Sequence, residues 1–218
     1  MDDKAPKDPI PFRAFQQRFL SGEPQLNPVL DALVDALMRT WDLFDPLCAN
    51  SIIAFAFEFV TSTSMQADVE KLSLSRGAQR FLWFFRERSG VPTSYTLFMF
   101  AKSTQIDIME YFQAIADMNF WMCLVNDILS SVSLSSPLCP VYKLAEAVAF
   151  SIRFHKEELA GETANYVHTR AYIENKAPLK VLAEMVEEVR VSRNSIYNSL
   201  SCSPRALRVW RAFEHGYM

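Results

Sequence analysis

Only five of the 218 residues are glycine, too few for the many tight turns of a β-sandwich or barrel. There is no excess of positive charge: 22 Lys and Arg stand against 25 Asp and Glu, for a net charge of −3. A nucleic-acid partner is therefore not expected, although a local anion site is compatible with that balance. The four cysteines, Cys48, Cys123, Cys139 and Cys202, form no CxxC pair and have no histidine at zinc-ligand spacing. They read as reduced thiols, which points to a cytoplasmic location. The opening MDDKAPKDPIP lacks the positive start and apolar core of a signal peptide. The most apolar stretch, Ser51 to Val60, is interrupted by Glu58 and is too short for a membrane span. Catalytic signatures are also missing: GxSxG, the Walker loop, GxGxxG, HExxH and Glu-x-x-His are all absent. His155, His168 and His215 have no obvious Cys or Ser partner.

What the chain does have is helical periodicity. Half of its residues are hydrophobic and 13% aromatic, which excludes a mainly disordered chain. Asn27 and Pro28 open a helix whose apolar stripe runs through Leu30, Leu33, Val34, Leu37, Met38 and Trp41. Asp45-Pro46 starts a second helix, apolar on nearly its whole circumference and so expected to sit centrally. A third covers Arg76 to Arg88, closed by Ser89-Gly90 and Pro92. Residues 105–130 make the longest uninterrupted helical pattern. Further helices are expected from Phe154 to about Ile173, from Pro178 to about Leu200 and from Pro204 onward. No alternating strands and no internal repeat are evident. The fold class is therefore all-α, a helical bundle in a single domain over residues 1–218.

The chemically informative stretch is Asn126-Asp127-Ile128-Leu129-Ser130. Asn126 and Ser130 lie four residues apart, on one helix face, and a carboxylate four further on would complete three oxygen ligands for a hard divalent ion. Position 134, however, is leucine. Alone, such an Asn and Ser pair is also an ordinary structural feature of helices. The segment 131–140, SVSLSSPLCP, then stops the helical pattern with four serines and two prolines.

NDILS resembles the opening of the Asn/Ser/Glu magnesium motif of class I terpene cyclases, and residues 110–130 resemble the corresponding helix of the fungal trichodiene synthase family. In that family NDxxS runs directly into F-Y/H-K-E, and Phe154-His155-Lys156-Glu157 supplies that continuation here. Residues 131–153 thus look like an in-frame insertion in the metal motif, from a retained intron or a gene-model error. Were the insert to continue the helix, it would carry Glu157 about 35 Å along the axis. Asp2-Asp3-Lys4-Ala5-Pro6-Lys7-Asp8-Pro9 resembles the family's aspartate-rich motif with one residue added, and also reads as an exposed acidic tail. Phe85-Arg86-Glu87-Arg88-Ser89-Gly90 resembles the segment that supplies a diphosphate-sensing arginine, with Arg86 the first choice and Arg88 the second. Two arginines at a helix C-terminus equally serve the helix dipole. The family's late Arg-Tyr pair and its N-terminal helices have no counterpart in this chain, so the domain reads as incomplete at both ends.

The resemblance implies an enzyme that binds farnesyl diphosphate, with Mg2+ ions bridging the diphosphate to the aspartates, Asp2 and Asp3, and to Asn126, Ser130 and Glu157. Arg86, Arg88 and Lys156 would hold the leaving group while an allylic cation cyclises. Phe55, Phe59, Phe112 and Trp121 are candidates to line the apolar pocket, and each also reads as ordinary core. The competing expectation is a non-catalytic helical protein that keeps the fold and acts only by binding. An isologous homodimer would be ordinary for either. If residues 131–153 are an intron remnant, sequencing of the spliced transcript shows Ser130 joined to Phe154. A mature message that encodes the segment removes that explanation.

Overall fold

In the computed structural model the described residues are 8–69, 71–131 and 165–217. They are all-α, with no strand among them. The residues fall into two compact units, Met1–Ser73 with Glu87–Met109, and Leu74–Arg86 with Glu110–Met218. Asp2, Asp3, Lys156, Glu157 and the bulk of the serine-rich interruption lie outside the described residues.

The first unit contains α1 (Ile10–Ser21), α2 (Pro28–Met38), α3 (Thr40–Leu43), α4 (Pro46–Val69) and α6 (Pro92–Phe98). Helix α1 follows the acidic, proline-rich opening and was not evident from it. It ends at Gly22, whose φ of 70° is left-handed and allows its amide and that of Glu23 to bond back to the Phe19 and Arg18 carbonyls. Asn27 caps α2 as its spacing implies, its Oδ1 accepting from the Val29 amide at 2.9 Å. The helix expected to run on through Trp41 instead breaks at Arg39. There the Thr40 hydroxyl donates back to the Ala36 carbonyl, a contact that bends helices. Asp45 Oδ1 takes the Leu47 and Cys48 amides and starts α4.

Helix α4 packs against α1, α3 and α6. Its Pro46–Gln66 part is long and apolar enough to cross a bilayer by length and composition, and half of that window is buried inside the protein. The core it helps to build is Phe12, Phe15, Leu30, Leu37, Ile53 and Val60, with Phe19 and Phe57 packed against it. Phe57 meets the Phe19 ring edge-on at 4.9 Å.

The second unit contains α7 (Ile115–Ser131), α8 (Tyr166–Glu174), α9 (Pro178–Ser199) and α10 (Pro204–Tyr217). Helix α5 (Phe81–Ser89) supplies its first six residues to this unit. It begins at Phe81 rather than Arg76 because Ser75 Oγ accepts the Gly77 amide and forms a turn. Helix α7 likewise begins ten residues later than the apolar pattern implies. Gln105 is left-handed and Asp107 takes the Met109 amide, which leaves only short 3₁₀ turns up to Ala114. Proline at the first position of α9 and α10 matches the expected starts.

Val181, Leu182, Met185, Val189, Ser192 and Ile196 recur at three- and four-residue spacing along α9, which packs against α7 and α8. The Ser192 hydroxyl donates to the Asp117 carbonyl at 2.8 Å, so a polar residue inside this seam is satisfied. Trp210 of α10 is fully enclosed and stands edge-on to Trp121 at 5.2 Å. Trp210→Ala should lower the unfolding free energy by about 3–5 kcal/mol in urea denaturation, whereas Val191→Ala, on the exposed side of α9, should stay within about 0.5 kcal/mol.

Candidate functional site

Asn126 and Asp127 are consecutive on α7 and therefore point about 100° apart around its axis. Asn126 faces solvent, while Asp127 turns into the second unit towards α5. There Arg86 Nε donates to both Asp127 oxygens, at 3.0 and 2.8 Å, and Arg86 Nη2 donates to Asn126 Oδ1 at 3.3 Å. The two charged side chains are 16% and 13% exposed, so this is a largely desolvated ion pair. Burial works against the Arg86 charge, but Asp127 outweighs it and holds the guanidinium above its ordinary value. Burial also pushes the Asp127 carboxyl above its usual range, against the pull of Arg86.

Behind this pair lies a polar network that the sequence did not disclose. Tyr166, at the start of α8, interacts electrostatically with Asp127 and Arg86 and also with Arg170 and Glu188. Arg170 reaches Glu188 through two nitrogens, at 2.7 and 2.8 Å, and Glu174 through Nε at 2.8 Å. Lys176 joins Glu174 and Glu184, each at 2.7 Å. Glu184 and Glu188 thus face α8 rather than only water. Glu187 and Arg190 of the same helix pair with each other in solvent.

The sequence-derived site residues divide by unit. Arg86 and Asn126 come together in the second, through Asp127, to which the sequence reading gave no role. Ser130 follows Asn126 by one turn of α7. Trp121 is also in the second unit, fully enclosed by Trp210 and Tyr217, and Phe112 is 57% exposed there. Arg88 belongs to the first unit, where it pairs with Glu58 at 2.8 Å. That pair, with Ala54, Phe55 and Glu87, borders a cavity of about 330 Å³. Phe59, one turn along α4 from Phe55, is half-buried and accepts the Thr63 hydroxyl on its carbonyl.

The whole chain is similar to terpene synthase BipA of Cochliobolus sativus, with 32% identity over 221 aligned residues that make up 60% of that protein. It shares 33% identity with a longiborneol synthase of Gibberella zeae, over 94% of this chain and 55% of the other. It shares 26% with an alpha-cuprenene synthase of Coprinopsis cinerea, over 99% of this chain and 59% of the other. Along its whole length the chain is thus similar to fungal terpene synthases. It spans about three-fifths of the length of the curated relatives it matches. No family model matches it.

The ion that the sequence resemblance implies is Mg2+, and the donor types on α7 suit it in kind. An outward-facing amide oxygen and a hydroxyl residue one turn later are hard oxygen donors. Among the described residues no three His, Cys, Asp or Glu side chains stand together where they could hold a metal. The carboxylates assigned to this task, Glu157, Asp2 and Asp3, lie outside those residues.

Burial, the first cause, pushes the Tyr166 hydroxyl up to about 12. The folded state therefore keeps a proton that the unfolded chain loses near pH 10, and stability is unaffected below pH 10 and falls between pH 10 and 12. Urea denaturation at pH 9 and pH 11 should show the parent chain losing about 1.4 kcal/mol more than Tyr166→Phe. Equal losses would place Tyr166 in contact with water.

Proposed function

We propose that this chain carries the metal- and diphosphate-binding core of a class I sesquiterpene cyclase of the trichodiene synthase type. Its reaction is the Mg2+-dependent ionisation and cyclisation of farnesyl diphosphate with release of diphosphate. The observation that supports this most is the meeting of Arg86 with Asn126 and Asp127, which are 40 and 41 residues away in sequence. A guanidinium fork suited to phosphate oxygens then stands beside an exposed oxygen donor suited to a divalent cation. The names of the relatives support the substrate class, and one of them is an (E)-beta farnesene synthase of Metarhizium brunneum, 23% identical and covered over 60% of its length.

In this reading Asn126, Ser130 and Glu157 hold Mg2+ together with Asp2 and Asp3, and the ion supplies positive charge to the departing diphosphate. Arg86 and Lys156 bind the diphosphate oxygens. Ionisation of this kind needs no protein nucleophile and no general acid, which agrees with the missing catalytic signatures, and the proton that the cyclised cation loses can pass to the released diphosphate. The second reading, a non-catalytic protein that keeps the fold, is favoured by one observation: Arg86 is already engaged by Asp127 and Asn126.

The deciding experiment incubates the purified chain with farnesyl diphosphate and Mg2+, beside a version that lacks residues 131–153 and is extended at both ends with a relative's sequence. Gas chromatography should find little or no terpene from the chain as it stands and clear turnover from the repaired version. Asn126→Ala or Glu157→Ala in the repaired version should abolish product. Unchanged product from those variants would remove the metal assignment.

A further inference from the structure

The turn that delays α5 also fixes an arginine. Ser75 Oγ accepts the Gly77 amide and the Ser75 carbonyl accepts the Ala78 amide, so Arg76 sits at the outer corner of the turn. Its guanidinium lies over the Tyr172 ring of α8, 5.4 Å from the ring centre. Arg86, Arg170 and Arg193 of the same unit are each held by a carboxylate. Arg76 has no hydrogen bond or ion pair among the described residues. The ring takes up its charge, and its fork of N–H donors is left without an acceptor.

His168, Ala171, Tyr172 and Asn175 recur at three- and four-residue spacing, so they share one face at the end of α8. With Arg76, Lys176 and Pro178 that face lines a cleft of about 440 Å³ inside the second unit, within the range of small-molecule sites. No carboxylate lines it. Glu174 and Glu184 are taken up by Lys176, whose ammonium has three N–H groups for these two acceptors. The side chains of His168, Tyr172 and Asn175 have no hydrogen-bond partner among the described residues. Cations at the C-terminus of α8 serve its dipole, which accounts for Arg76 and Lys176 but not for the other three polar side chains.

We propose that this cleft binds a small phosphomonoester. Arg76 and Lys176 supply charge to the phosphate, and His168 and Asn175 add directed N–H donors. Three terminal oxygens carrying nearly two charges match two cations and two further donors better than a singly charged carboxylate does. A phosphate fills only part of the cleft, and Ala171, the Tyr172 ring and Pro178 give its organic part an apolar wall. The site is independent of the cyclase chemistry, since neither Arg86 nor any residue of α7 lines it.

The test is titration of the full chain with phenyl phosphate, inorganic phosphate and acetate, read on the imidazole signals in proton–carbon correlation spectra. The His168 signal, assigned by its loss in His168→Gln, should move with phenyl phosphate, less with inorganic phosphate and hardly with acetate, while that of His215 stays. Arg76→Ala, at an exposed turn, should weaken phenyl phosphate binding about tenfold or more. Arg208→Ala removes the same charge from the exposed side of α10 and should change binding less than about twofold. Equal losses in the two variants would overturn the site, as would a His168 signal that phenyl phosphate leaves in place or that acetate moves equally. Binding at Arg86 alone would leave His168 unmoved, so this site would fall without touching the diphosphate reading. Vesicles of phosphatidylcholine with phosphatidic acid present the same phosphate on a surface. Cosedimentation that Arg76→Ala abolishes would identify a lipid headgroup as the ligand of this site. A moved His168 signal without cosedimentation would identify a soluble ester.

Discussion

A guanidinium and a carboxylate shut away from most solvent constrain everything around them in the second unit. Each charge is tolerated only because the other is beside it, since desolvation of a lone charge costs several kcal/mol. The register of α5 against α7 must therefore bring Arg86 to Asp127. Once it does, the residue before Asp127 is turned outward by helix geometry alone. An exposed amide oxygen beside an arginine is thus a consequence of how a buried pair is satisfied. The site and the fold share one constraint.

The polar layer behind that pair extends the same logic. Arg170 is held by Glu188 and Glu174, and its charge is favoured mainly by the hydrogen bonds to Glu188. Lys176 bridges Glu174 and Glu184, so the acidic face of α9 is matched by α8 rather than left in water. The Tyr166 phenol feels both ion pairs while staying neutral itself. On the other side of α7 the packing is wholly different. Met118, Trp121, Leu124 and Ile128 are enclosed by apolar neighbours. Helix α7 therefore carries an enclosed apolar face as well as the Arg86–Asp127 pair.

The parts of this arrangement that could be read from sequence are those fixed by local chemistry. Asn27-Pro28, Asp45-Pro46, Pro178 and Pro204 announce helix starts because capping and the fixed proline φ act within a few residues. The beginning of α7 was not legible, because apolar spacing persists through the 3₁₀ turns before Ile115, where Asp107 and a left-handed Gln105 decide the backbone. Arg86 and Asn126 could be nominated separately from a family resemblance, but their meeting depends on tertiary packing. Tyr166, Arg170 and Glu188 carried no signal at all, since a network of long polar side chains is defined by neighbours and has no spacing rule of its own.

The indoles of the second unit carry one further consequence. Trp121 and Trp210 are completely enclosed, and among the described residues neither ring nitrogen finds an acceptor. In the first unit Trp41 stands at the surface, bonded to Asn50 at 3.1 Å. An excited indole relaxes by reorienting nearby dipoles, and the enclosed pair has almost none to reorient. The short-wavelength part of the protein's emission is therefore tied to the packing of α7 on α10, while Trp41 and the half-buried Trp83 of α5 emit at longer wavelength.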